Sequence, residues 1–453
     1  MYKIILAIRY LLKRRISYFA VLAVALCVFI VVVVMTVMTG LVIDFKQKNH
    51  QFTGDCVVGT ESLVGFAYYE DFVSLLERQD IIEGVSAVIK SYALVSPEGM
   101  DRNVGVEIIG VEPVSYSKAT GFGDTLYHHR GDVSKAFEPA YEPNLAGCVI
   151  GIDLVLSRDA KGRYSYDSDP TGLGLVISCF PLTAKGALAK AGAGLVNTKT
   201  FHYSDNSHSG LARVDGSLVY LAFAEAQILC GMDGPSKRAS SIHIKFKPGV
   251  KLQTGLERVS SLWDGFRKEK AGEPRRAGAD LLDKVAVQSW KDYRRAFIAA
   301  MEKEQTMMIV MFALVGITTV FIVFVVSYMI ISHKSKDIGI LKSIGVSNAN
   351  VMLLFLLFSF FVGLSGSAIG ALAGWRFLVH INEIEGWLYD KFGFQPLWDR
   401  TIYAIGDIPN TIDLKVLGVI ILSAIGACLA GVLLPCRQAA KQKPIETLQV
   451  SQL

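Results

Sequence analysis

Charge is scarce in this 453-residue chain: Asp, Glu, Lys and Arg make up 19% of it, against 51% hydrophobic residues. Mean hydropathy is +0.39, too apolar for an ordinary soluble protein and too polar for one buried wholly in lipid. A membrane part joined to a soluble part of one or two domains satisfies both limits. The formal net charge is only +5, so no strongly basic surface is available for nucleic acid. Catalytic signatures are missing as well. There is no G-x-x-x-x-G-K-[ST], which excludes a P-loop ATPase, and neither H-E-x-x-H nor G-x-S-x-G occurs. The long apolar runs hold no Asp, Glu, Lys or His in their interiors. Proton-coupled transporters and intramembrane proteases need such groups, so an external energy source is what remains.

Histidine is sparse too, at eight residues. His202, Asp205 and His208 in HYSDNSH, and the pair His128–His129, could ligate a metal. On polar loops such pairs are solvated far more often than ligated, and the reading is no metal. Of seven cysteines, Cys27 and Cys428 fall in apolar runs and Cys436 beside one. Cys56, Cys148, Cys179 and Cys230 lie in the polar part, fit no metal spacing, and allow three disulfide pairings in an oxidising compartment.

What the sequence does have is four apolar runs long enough to cross a hydrocarbon core as helices: 16–41, 306–331, 351–378 and 416–434. Arg376 stands near the end of the third. Lys3, Arg9, Lys13, Arg14 and Arg15 precede the first run. Lys334, Lys336 and Lys342 lie in segment 332–350, and Arg437, Lys441 and Lys443 follow the fourth run. Segment 379–415 is instead acidic, with Glu383, Glu385, Asp390, Asp399 and Asp407. The positive-inside rule therefore places both termini and 332–350 in the cytoplasm, with 42–305 and 379–415 outside. The first run is longer than a signal-peptide core and lacks an A-x-A-like site, which predicts an uncleaved anchor. Segment 1–15 reads either as an amphipathic helix on the inner leaflet or as a longer first helix.

The fold class is thus an α-helical membrane protein with four transmembrane helices and a large α+β domain between the first and second. Within 42–305, Tyr69–Leu76, Thr254–Arg267 and Ser289–Glu304 have helical periodicity, the last entering the second span. Val85–Val95 and Val104–Val111 flank Pro97, Glu98 and Gly99, which predicts a hairpin. Cys148–Leu156, Leu173–Cys179 and Ile242–Phe246 read as strands, and Gly121–Tyr141 and Arg158–Thr171 as loops. In the third run Gly363, Gly366, Gly370 and Gly374 strip one helix face of side chains, the pattern of a helix-packing face.

Two cytoplasmic segments carry a resemblance. HKSKDIGILKSIGVSNANVMLLF is similar to the signature loop of FtsX-like (MacB-type) ABC transporter permeases, and LPCRQAAKQKPIETLQ resembles their ending. SWKDYRRAFIAAMEKEQTMM, DRTIYAIGDIP, VEIIGVEP and LAGCVIGIDLVLSRD resemble the lipoprotein-releasing branch of that family. Departures are Gln305, where that branch usually has Lys, and long insertions at Gly121–Tyr141 and Asp159–Thr171.

The resemblance implies a permease domain over 306–448 and no catalysis by this chain. ATP and Mg2+ would be held by a separate ATPase present in two copies. The permease would pair with a second copy or a paralogue, in the bacterial inner membrane. Lys336, Asp337, Ile338, Gly339, Ile340, Leu341, Lys342, Ile344 and Gly345 would form the helix that couples to that ATPase. Asp337 near its start suits the helix dipole and Gly345 suits its C-cap. The C-terminal motif is Pro435, Arg437, Ala439, Ala440, Pro444, Glu446 and Leu448. Lipoprotein cargo, passed to a periplasmic carrier, would occupy a cavity between the first two spans. Met35, Met38, Thr39, Met308, Met311 and Phe312 are the candidate lining, since Met and aromatic side chains adapt to varied acyl chains. A mechanotransmitter acting on a hydrolase or efflux partner is the rival reading. A membrane-anchored sensor without an ATPase is the second.

Overall fold

Four helices of the computed structural model are long and apolar enough to cross a membrane. They run Arg15–Thr53, Arg295–His333, Asn348–Val379 and Leu414–Lys441. The structure describes residues 15–99, 103–157, 164, 170–183, 186, 196–234, 237–270, 279–333, 340, 342–392 and 408–441. The amphipathic segment expected before Arg15 lies outside them, as does most of Arg158–Thr171.

The described chain divides into two compact units. One gathers the apolar helices up to residue 43, from 300 to 392, and from 408 onward; the other is Asp44–Ala299. In the membrane unit the third helix starts at Ser347, whose hydroxyl accepts from the Asn350 N–H, and ends before His380. A short helix, Ile381–Phe392, follows, and Asn382 hydrogen-bonds both the N–H and the C=O of Ile408. Ser359 donates to the Cys428 carbonyl at 2.6 Å, joining the third helix to the fourth.

The second unit is built on eleven strands among the described residues. They are β1 (Cys56–Gly59), β2 (Phe66–Ala67), β3 (Ile82–Pro97), β4 (Val104–Val111), β5 (Gly147–Gly151), β6 (Gly174–Cys179), β7 (Asn197–Ser207), β8 (Leu218–Ala222), β9 (Arg238–Ala239), β10 (Ser241–Phe246) and β11 (Ala286–Ser289). Nine of them form one sheet in the order β11-β1-β10-β3-β4-β8-β5-β7-β6. β3 is long enough to serve two neighbourhoods. Ile82–Val88 pairs with β10, whereas Ala93–Pro97 pairs with β6, so β3-β4-β8-β5-β7-β6 closes into a ring of six strands.

Ile89, Ile108, Ile150, Ile177, Phe201 and Val219 fill that ring. The helix Phe223–Leu229 packs on it, with Ala226 so close to Gly110 of β4 that a side chain there would collide. A second core lies where the helices Tyr69–Glu77 and Leu252–Lys270 cover β1 and β10, around Phe66, Phe72, Trp263 and Phe266. The domain between the first two spans is therefore α+β, as its sequence predicts.

The predicted hairpin is present: β3 and β4 pair antiparallel from Val88↔Val111 to Val95↔Val104, with Gly99 at φ +78° in the turn. Four expectations need correction. Cys148–Leu156 is a strand only to Gly151, which pairs with Ser207, the last residue of β7; with no partner strand beyond it among the described residues, the chain turns helical over Ile152–Val155. Gly121–Tyr141 is no solvated loop. It holds two helical turns and buries Phe122, Leu126 and Ala136 in a third core. HYSDNSH is not a polar loop either, since His202–Ser207 belong to β7. The helix predicted over Ser289–Glu304 is broken: Trp290–Tyr293 forms one turn capped by Ser289, and a new helix begins at Arg295.

Candidate functional site

The first, second and fourth apolar helices enclose a cavity of about 350 Å³ in the membrane unit. The first contributes Cys27, Val31 and Met35; the second Phe312, Gly316 and Thr319; the fourth Ile420, Ser423 and Ala424. Among the described residues no Asp, Glu, Lys, Arg or His lines it. The hydroxyls present are occupied locally. Thr319 Oγ1 lies 2.9 Å from the Val315 carbonyl and 3.0 Å from Cys27 Sγ, and Ser423 donates to the Ile420 carbonyl at 2.8 Å. What remains for a ligand is hydrocarbon surface, in a volume within the range of small-ligand pockets. Such a wall offers nothing to an ion or a sugar, whose polar groups would be buried without partners.

Of the six residues expected to line this space, Met35 and Phe312 do so. Met38, Thr39, Met308 and Met311 do not. Met38 is one turn beyond Met35 and is 5% exposed. Met311 lies off the Ile309–Phe312–Gly316–Thr319 stripe and is 59% exposed. The fourth helix was not expected in the lining at all. Ile420, Ser423, Ala424 and Ala427 follow i, i+3, i+4, i+7 spacing, a small-residue face visible in the sequence.

Gly363, Gly366, Gly370 and Gly374 sit at helix crossings. A Cβ on Gly370 would stand 2.4 Å from the Ala25 carbonyl oxygen and 2.9 Å from Val28 Cβ. Gly366 abuts Val24, Gly374 abuts Val32, and Gly363 faces Ile425 and Cys428 on the fourth helix. The missing side chains set the distance between the third helix and both neighbours.

Lys336, Asp337, Ile338, Gly339 and Leu341 of the coupling segment lie outside the described residues. Ile340, Lys342 and Ile344 form the end of a helical turn, with the Ile344 N–H on the Ile340 carbonyl. Gly345 closes it at φ +97°, left-handed geometry that favours glycine. Ile340 and Ile344 are 48% and 76% exposed, so this turn presents apolar side chains outward. Lys342 Nζ donates to the Ala440 carbonyl at 2.7 Å, which brings the coupling turn to the end of the fourth helix. Pro435 lies inside that helix, Arg437 is exposed, and Ala440 is buried. Ala439 is helical, whereas Pro444, Glu446 and Leu448 lie outside the described residues.

In the second unit Asp205 and His129 of the two candidate groupings are engaged with each other and with backbone. Asp205 is fully buried, and its carboxylate accepts from the backbone N–H groups of Tyr127, His128, His129 and Asn206. His129 Nδ1 adds a contact at 3.2 Å. Asp205 thus pins the Tyr127–His129 chain to β7.

Residues 309–444 match the family described as FtsX-like permease C-terminal. The chain carries an FtsX-like permease domain. The likeness to whole permeases runs end to end. The chain is 23% identical to the lipoprotein-releasing system transmembrane protein LolC of Neisseria meningitidis serogroup B, across 98% of each chain. It is 21% identical to the protein of the same name from Xylella fastidiosa, also across 98% of each. Among solved structures, the periplasmic region of MacB from Actinobacillus actinomycetemcomitans aligns with 56% of this chain and 97% of its own. The TM-score there is 0.30 and the identity 12%. This FtsX-like chain is a permease subunit of an ABC transporter.

Proposed function

We propose that this permease extracts lipidated proteins from the bacterial inner membrane for release to a periplasmic carrier. The observation that carries the reading is the end-to-end likeness to LolC, a lipoprotein-releasing transmembrane protein, over 98% of both chains. The cavity supports it, since a space walled by Met35, Phe312, Ile420 and neighbouring apolar groups suits acyl chain. Both termini and 332–350 face the cytoplasm, on the Lys and Arg asymmetry. Asp44–Ala299 then lies in the periplasm. Two separate ATPase subunits bind ATP and Mg2+, and the Ile340–Gly345 turn docks on them with the rest of its loop. The working unit pairs this chain with a second copy or a paralogue. Closure of the ATPase dimer drives the loops, narrows the cavity and expels cargo.

Photocrosslinkers at Met35 and Phe312 in membranes without ATP should capture a lipoprotein, and ATP should reduce that capture. A crosslinker at Leu422, 70% exposed and outside the cavity lining, should capture phospholipid under both conditions. Phospholipid alone at all three positions, whatever the nucleotide, would overturn cargo extraction and favour mechanotransmission.

A further inference from the structure

Four cysteines of the second unit leave three pairings open in the sequence, and the fold brings two of them together. Cys179 is the last residue of β6, and Cys230 follows the helix Phe223–Leu229. Both are buried in the core of the strand ring, with their sulfurs 3.9 Å apart. A disulfide bond is about 2.05 Å long, so the two sulfurs stand within about 2 Å of bonding distance. Cys148 has its described sulfur contact with the His202 carbonyl instead, and Cys56 belongs to the other core.

We propose that Cys179 and Cys230 form the structural disulfide of this domain. The inference rests on the periplasmic placement above, which supplies an oxidising compartment.

The surroundings hold both cysteines ready for the bond. β6 is fixed on both sides at Cys179, paired with Ala93 of β3 and Asn197 of β7. Cys230 is fixed by the helix end, where the Cys230 N–H reaches the Ala226 carbonyl and Gly231 takes φ +67°. Asn197 donates to the carbonyls of Ile228 and Leu229, tying β7 to the same helix end. Arg238 donates to the carbonyls of Leu182 and Gly231, clasping the segments that follow the two cysteines. Closing the bond therefore orders little that is not already ordered, and it encloses a loop whose ends are 51 residues apart.

The sulfurs are also unequal. Hydrogen bonding from Cys230, helped by Ser91 and the Phe180 N–H, outweighs burial and draws the Cys179 thiol down to about 7. The same contact, together with burial, pushes Cys230 up. That inequality belongs to the packed domain, so before packing either thiol can attack first, and both orders give the same product. The oxidant is an external disulfide, of small-molecule or protein-dithiol class. Where Cys179 leads, its thiolate attacks one sulfur of that disulfide, the external S–S bond breaks, and one thiolate leaves. Cys230 then loses its proton and attacks Cys179 Sγ, expelling the second. The balance is two cysteine thiols plus one disulfide giving one internal disulfide plus two thiols. Because both sulfurs are buried in the finished domain, the exchange precedes the final packing of Phe180–Leu182.

Full-length protein purified from membranes without reductant, alkylated after denaturation and digested, should yield one linked peptide joining Cys179 to Cys230. Cys56 and Cys148 should be alkylated. Placement is read separately, by labelling an exposed Glu142→Cys variant in intact cells with an impermeant maleimide. If that label enters from outside and Cys179 and Cys230 are both alkylated, or paired elsewhere, the proposal fails. If the label does not enter, the placement fails instead, and the pair is judged on the purified protein reduced in urea and diluted from it into glutathione disulfide. There the Cys179–Cys230 peptide sustains the inference and its absence overturns it.

Discussion

Arg294 donates through Nε to Oδ1 of Asn49 at 2.8 Å, across 245 positions of sequence. The guanidinium lies over the ring of Phe52 at 5.0 Å and over that of Phe297 at 4.6 Å. Burial draws its pKa below the ordinary value. Asn49 in turn donates to the Phe45 carbonyl. The bond joins the last turns of the first long helix to the residue just before the second. Neighbouring contacts repeat the join, since His50 stacks on Trp290 at 4.7 Å and pairs with Asp55 at 2.7 Å.

Asn49→Ala should therefore destabilise the Asp44–Ala299 unit by about 1–2 kcal/mol, because a half-buried donor on Arg294 loses its acceptor. Arg294→Lys should cost a similar amount despite keeping the charge, since an ammonium lacks the planar face that a guanidinium sets against aromatic rings. Urea-pulse proteolysis of the full-length protein in detergent reads both. A shift under about 0.5 kcal/mol in either variant would show that this join is incidental.

His243 makes the stability of the same unit depend on pH. Burial drives its pKa from 6.5 to about 4, although the ring gains a hydrogen bond from Nδ1 to the Thr53 carbonyl at 2.8 Å. That partner can only accept, so Nδ1 carries the proton of the neutral ring. Tyr116 and Tyr293 face the ring, and the charges of Lys90 and Arg294 oppose its protonation. Between pH 6.5 and 4 the unfolded chain binds a proton that the folded one refuses. Stability is thus complete above 6.5 and falls as pH drops through that window. From pH 7.5 to 5.0 the loss should be about 2 kcal/mol, and His243→Asn should abolish most of the slope. Asp55 acts lower: burial pushes its carboxyl up, but His50, the Phe246 N–H and Lys245 outweigh that and hold it below 3.8. Its contribution is lost only in stronger acid. A flat profile between pH 7.5 and 5 would disprove the role of His243.

The four spans and the β3–β4 hairpin were legible because each follows from one local rule, hydrocarbon length in one case and turn residues between apolar runs in the other. β7 was not legible, since its Ser204, Asp205, Asn206 and Ser207 are polar yet buried. Their partners, such as the Tyr127–His129 N–H groups on Asp205, come from a segment almost 80 residues away. A periodicity reading sees polarity and returns a loop. The cavity was half legible for a related reason. Side-chain type drew attention to Met35, Met38, Met308 and Met311, but helix rotation decides which of them face inward. The fourth helix enters with small residues whose packing reads the same from sequence whether they line a space or fill one.

The glycine face of the third helix should tolerate no side chain. Gly370→Val would place Cβ 2.4 Å from a backbone carbonyl oxygen of the first helix, which no rotamer relieves. Gly366→Val meets Val24 at 2.8 Å. Both should lower accumulation of folded permease several-fold, measured by size-exclusion of detergent extracts. Gly426→Ala and Gly418→Ala, on the fourth helix with open space around each, should accumulate as the wild type does. Equal loss in all four would mean that the helices simply tolerate no substitution, and the packing argument would fall.

The coupling turn gives the last prediction. Ile344 is 76% exposed and Ile340 48% exposed on a turn closed by Gly345, so Ile344 contributes little to the packing of this chain. Lys342 instead reaches the Ala440 carbonyl, which orients the turn from behind. If the ATPase receives the apolar side chains in a groove, Ile344→Asp would bury a carboxylate there without a partner. The cost would be about 3 kcal/mol, on the order of a hundredfold in affinity. The variant should insert and accumulate normally, lose the copurifying ATPase, and abolish permease-stimulated ATP hydrolysis. Ile344→Leu should restore both, because hydrophobic area of similar size returns to the groove. Retention of the ATPase by Ile344→Asp would make 332–350 a plain connector between two helices and would move the docking surface elsewhere on the cytoplasmic face.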